Sequence, residues 1–118
     1  MNIARREGGA LKSGLEIQPG LPLWKVVPTR DDQGERLCDF MMFIPQLKTR
    51  QQVYIRHAQM HIAKVLSRYG EVVFANINLE LNVLWVSHRH RQGLMIEIVN
   101  MIRTRVPEAV LVAHNTRT

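Results

Sequence analysis

Leu37-Cys38-Asp39-Phe40-Met41-Met42-Phe43-Ile44 is the stretch on which the fold turns. At a period of two, Leu37, Met41 and Phe43 fall on one side and Cys38, Phe40, Met42 and Ile44 on the other, with Asp39 as the one polar interruption. Successive strand side chains point to opposite faces, so a strand apolar on both sides belongs at the centre of a sheet with something covering each face. Pro45 closes the run, because proline cannot donate to a strand ladder. A second run of the same kind, Leu81 to His88, sets Leu81, Val83 and Trp85 against Leu84 and Val86.

Between these runs lies a helix pattern. Ile55, Ala58, Ile62, Val65, Leu66 and Tyr69 recur at three- and four-residue spacing, which predicts a helix from Gln51 to Tyr69 with Thr49 as N-cap and Gly70 as C-cap. Glu71 to His88 then has the length of a hairpin, Glu71–Asn76 and Leu81–His88 around a turn at Ile77 to Glu80. Leu94, Met95, Ile98, Met101 and Ile102 mark a second helix over Arg91 to Arg105, ended by Pro107, and Ala109–His114 supplies a last strand. Upstream, Leu23–Val27 is a short strand candidate stopped by Pro28. Residues 1–20 carry four glycines and no sustained period, the pattern of a flexible tail.

The order strand, helix, strand, strand, helix, strand predicts one α+β domain over residues 21–118 with a ferredoxin-like β-α-β-β-α-β arrangement. This is a four-stranded antiparallel sheet with both helices on one face, plus an N-terminal strand or extension. The first and third strands are expected as a central, parallel pair. The sheet face away from the helices would then be apolar and wet, so the segment around Trp24 or a second copy of the chain is expected to cover it; a homodimer is the favoured reading.

The 118 residues suffice for one core, and the net charge of +6 biases partners toward anions: nucleic acid, nucleotides, acidic metabolites or an acidic protein. Six Lys/Arg stand against five Asp/Glu in residues 1–36 and ten against five in 37–118, so the excess of +5 belongs to the domain body. Cys38 is the one cysteine, which excludes an internal disulfide and a Cys-x-x-Cys pair. With no apolar leader and no run long enough to span a bilayer, a cytoplasmic location without membrane contact is expected.

Charge and topology together nominate a site. The loop after the first strand, with Lys48, Thr49 and Arg50, and the loop after the third, with His88, Arg89, His90, Arg91 and Gly93, each feed a helix N-terminus. Cations there oppose the helix dipole, whereas an anion held between the loops would meet backbone donors, dipoles and guanidinium groups together. This expectation requires both loops to open at the same end of the sheet. A second basic stripe, His57, His61, Lys64 and Arg68, follows the outer face of the first helix beyond Arg50. His57 and His61 have the spacing of a helical metal pair, but the sequence His-Ala-Gln-Met-His lacks the glutamate of the hydrolytic zinc helix, so no metal or other cofactor is expected.

Two local resemblances accompany these readings. Leu66-Ser67-Arg68-Tyr69-Gly70-Glu71-Val72-Val73 resembles the helix-to-strand junction of RNA-recognition-motif domains, which implies bases stacked on strand aromatics, here Trp85 with Phe40 or Phe43. Arg91-Gln92-Gly93-Leu94-Met95-Ile96-Glu97-Ile98 is similar to the strand-to-helix segment of ACT-type regulatory domains, which implies a small metabolite bound near Gly93 at a dimer interface. The leading expectation is a non-catalytic module engaging an anionic ligand or nucleic acid. An ACT-like regulatory domain is the alternative, and a small enzyme with His88 or His90 as general base is the third reading.

Overall fold

The computed structural model of the chain describes residues 2–7, 10–12 and 33–115. In chain order the elements are β1 (Asn2–Glu7), β2 (Ala10–Lys12), β3 (Cys38–Phe43), α1 (Gln52–Leu66), β4 (Val72–Asn78), β5 (Val83–His88), α2 (Leu94–Arg105) and β6 (Val110–Asn115), with a 3-10 turn at Leu47–Thr49. The strands form a single sheet in the order β2-β1-β4-β5-β3-β6, and every neighbouring pair is antiparallel.

The β3–α1–β4 and β5–α2–β6 units build the four-stranded antiparallel sheet with two helices. Their strand order, β4-β5-β3-β6, agrees with the ferredoxin-like arrangement. Each of the two runs apolar on both faces lies between two neighbours, β3 between β5 and β6 and β5 between β4 and β3. Their relative direction corrects the sequence reading. Cys38 sits opposite His88 and Phe43 opposite Val83, so the central pair is antiparallel. The physical reason is the hairpin: β4 follows β3 in the same direction after the α1 crossover, and the β4–β5 turn then reverses the chain.

Cross-strand register assigns the faces. Phe40, Val86 and Ala75 form one row and Met42, Leu84 and Ile77 the next, and all six are sealed from solvent. They pack with Ile55, Ile62 and Leu66 of α1 and Leu94, Ile98 and Ile102 of α2 in one continuous core, which puts both helices on the same face. On the opposite face Met41, Phe43, Val83 and Trp85 are half-buried, while Phe74, Asn76 and Ser87 are enclosed. β1 continues this sheet beyond β4, with Ala4 opposite Ala75 and Arg5 opposite Phe74.

Local expectations differ from the structure in four places. Thr49 is no helix cap: its hydroxyl bonds the Gln46 carbonyl at 3.0 Å inside the 3-10 turn, and Gln51 occupies the N-cap position. Helix α1 stops at Leu66 with Ser67 as its C-cap, so Gly70 falls beyond the helix end. The hairpin turn lies later than expected because β4 runs on through Asn78. Two strands, β1 and β2, lie within the stretch read from sequence as a tail; a short hairpin held by backbone pairing needs no apolar alternation to betray it. The Leu23–Val27 strand candidate and Trp24 lie outside the described residues. Among the described residues no helix is long and apolar enough to cross a membrane.

Candidate functional site

The two basic loops nominated from sequence do not come together. Because β3 and β5 run antiparallel, the loop carrying Lys48, Thr49 and Arg50 leaves the sheet beside Val83, and the loop carrying His88 to Gly93 leaves it beside Cys38. Six strand residues, roughly 20 Å, separate the two ends. No anion can be held between them.

One cation of each loop is also paired with a carboxylate where it stands. Lys48 Nζ lies 2.6 Å from Glu80 Oε2 on the β4–β5 turn, and the Lys48 backbone N–H donates to the Asn82 side-chain oxygen at 2.7 Å. The Arg50 guanidinium lies over the Tyr54 ring at 4.6 Å from its centroid, a cation–π contact, and among the described residues no carboxylate pairs with it. At the other end Arg91 Nε pairs with Glu71 Oε2 at 2.8 Å, and Arg91 Nη2 is 3.6 Å from Glu97. Glu71 also accepts the Arg89 backbone N–H on its carbonyl, which ties the start of β4 to this loop. Burial, and then the hydrogen bond to Glu97, raises the pKa of Tyr69 above its ordinary value, so the same carboxylate serves both Tyr69 and Arg91.

His88 is a core residue. Its ring is 5.8 Å from that of Phe40, it is 2% exposed, and its Nδ1–H donates to the Arg89 carbonyl at 2.9 Å. That bond puts the proton on Nδ1 and leaves Nε2 as a buried acceptor. Burial pulls the His88 pKa below its usual value, against the opposing pull of the Arg89 carbonyl and Asp39. His90 is exposed, and its Nδ1 lies 4.0 Å from Cys38 Sγ. A general-base role would need a carboxylate bonded to one of these histidines, and their hydrogen-bond geometry directs them to a carbonyl and a thiol instead.

Gly93 is the N-cap of α2 with φ 78°, a left-handed conformation that glycine adopts without strain. A Cβ built there meets nothing within 4 Å. The glycine therefore answers to backbone conformation, not to close packing against a neighbouring side chain. Of the aromatics implied in base stacking, Phe40 is sealed under the helices, while Phe43 and Trp85 lie half-buried on the far face of the sheet.

The helix layer is electrostatically different. From Phe40 through Gly70 the chain contains no Asp or Glu, while Lys48, Arg50, Arg56, Lys64 and Arg68 lie within it. The buried side of α1 is Ile55, Ala58, Ile62, Val65 and Leu66, which turns Arg56, His57 and Lys64 outward, and Arg68 follows just past the helix end. Arg105 of α2 reaches across, its Nη1 donating to His61 Nδ1 at 3.3 Å, and Arg103 lies exposed in the same last turn. Among the described residues no carboxylate pairs with Arg56, Lys64, Arg68, Arg103 or Arg105. His57 and His61 stack edge to face at 6.4 Å, and no third His, Cys, Asp or Glu joins them among the described residues in a group that could hold a metal.

The secondary stripe legible in the sequence holds His57, His61, Lys64 and Arg68, and the folded helix layer adds Arg56, Arg103 and Arg105. The acid-free span from residue 40 to 70 was the available signal for Arg56. The contribution of α2 depends on helix packing that no linear pattern carries. Comparisons with protein-family models, curated proteins and solved structures return no match to this chain.

Proposed function

We propose that this protein is a non-catalytic binding module that holds an extended anionic polymer, a nucleic acid, along its two-helix layer. One observation carries the reading: the exposed cations of α1 and α2 have no carboxylate partners among the described residues, whereas Lys48 and Arg91 do. Cations that are already paired gain less from an incoming phosphate, because the first partner must be displaced. Unpaired ones exchange only water and small counterions, and the release of condensed counterions from the polymer drives binding.

The exposed apolar side chains Val53 and Met60 lie on the same outer side of α1. They offer contact to sugar or base surfaces between phosphates. The reading includes a cytoplasmic location, which the buried, unpaired thiol of Cys38 supports, and a homodimer.

Fluorescence anisotropy with labelled single- and double-stranded oligonucleotides tests it. Affinity is expected in the range of about 10⁻⁴ to 10⁻⁶ M near physiological salt and to fall steeply as salt rises. The triple substitution Arg56→Ala, Lys64→Ala and Arg68→Ala should weaken binding and flatten the salt slope by about two to three units. Alanine at Arg89 and Arg91 should leave the slope within about one unit of the parent. A slope unchanged by the helix substitutions would remove the reading.

A further inference from the structure

We infer that β6 is the dimerisation edge of this protein, pairing antiparallel with β6 of a second copy about a two-fold axis perpendicular to the sheet. The inference rests on the homodimer part of the reading above and is independent of its polymer-binding part.

A sheet edge presents unpaired N–H and C=O groups and invites another strand, so edges are ordinarily blunted by brevity, charge, proline or a bulge. The two edges of this sheet differ. At one end β2 is three residues long and finishes in Lys12. At the other, β6 reads Val110-Leu111-Val112-Ala113-His114-Asn115, with no Lys, Arg, Asp, Glu or Pro. Val110 and Val112 are 48% and 54% exposed. Among the described residues the one blunting device on β6 is a register step against β3 between Met41 and Met42, which leaves Val112 without an opposite residue. Pairable backbone remains on both sides of that step.

Charge selects the occupant. Copies carrying +6 each repel one another over most of their surface, and most strongly at the helix layer. Strand β6 has no ionised carboxylate or ammonium side chain, so two copies meet there at the least Coulomb cost. An acidic partner would be drawn to the helices instead. A two-fold axis brings the same residues together from both sides, as an isologous interface requires. With the axis perpendicular to the sheet, the helices of both copies lie on one face of a continuous sheet.

Sedimentation velocity on the full chain across a concentration series tests the edge. The parent should dimerise, with an association that added salt does not weaken. Val110→Lys and Val112→Lys, each made singly at an exposed side chain, should weaken it about tenfold or more while leaving the melting temperature nearly unchanged. A dimer unaffected by both substitutions would overturn the β6 assignment and leave the homodimer reading standing on another surface. A monomer at every concentration would overturn both.

Discussion

His88 shows how one side chain links the fold to pH. In the folded protein its neutral form is favoured by burial, so its pKa lies below the ordinary value of 6.5 that it regains on unfolding. Between those two values the unfolded chain binds the proton and the folded one does not. His88 therefore contributes stability that is complete above about pH 6.5 and is lost as pH falls through its folded pKa. Urea midpoints should decline from pH 7.5 toward pH 5, and His88→Phe should shrink that decline. A variant with the same pH dependence as the parent would show that other groups govern it. Asp39 acts with the opposite sign: burial raises its pKa, so its contribution is present at low pH and is lost as pH rises through the folded value.

Gly93 belongs to the same scale. Its φ of 78° costs a Cβ-bearing residue about 1 kcal/mol, and with open space around the position the cost is conformational and not steric. Gly93→Ala should lower stability by about that amount, read from denaturant midpoints, without altering oligonucleotide affinity. A loss of affinity would revive a ligand site at the start of α2.

At the scale of elements, α1 and α2 owe their positions to buried faces more than to their caps. Neither helix has a side-chain cap hydrogen bond, and α1 has no acid in its first turn. Ile62 and Ile98 are fully enclosed between helices and sheet, so alanine at either should cost about 2–5 kcal/mol in equilibrium unfolding. The Lys48–Glu80 pair has side chains 52% and 76% exposed, and its removal should cost under about 1 kcal/mol despite the 2.6 Å separation.

The periodicities that place these elements are legible because burial acts on every second strand residue and every third or fourth helix residue. Of the residues whose spacing predicts the buried side of α1, Ile55, Ala58, Ile62, Val65 and Leu66 are buried, while Tyr69 is half-buried beyond the helix end. Cap positions were less legible, because Thr49 found a closer carbonyl in the 3-10 turn. The hairpin before β5 dictates its direction, antiparallel to β3 where the apolar runs suggest a parallel pair, and so sets the two basic loops at opposite ends of the sheet.

For the whole molecule, the arrangement of charge matters more than its sum. The sequence discloses an excess of +5 after residue 36, yet Lys48 and Arg91 are paired with carboxylates at the sheet ends, whereas among the described residues no carboxylate pairs with Arg56, Lys64, Arg68, Arg103 or Arg105. Lys48 meets Glu80 across 32 positions, and Arg105 meets His61 across 44, so neither the loss nor the gain could be read along the chain.

The most direct test of the helix layer as the binding surface is an amide chemical-shift titration of the full chain with a short single-stranded oligonucleotide. Shifts are expected to gather in Arg56 to Arg68 and in Arg103 to Arg105 and to reverse when salt is added. Shifts confined to residues 88–93, or to Met41, Phe43 and Trp85 on the far face of the sheet, would contradict it.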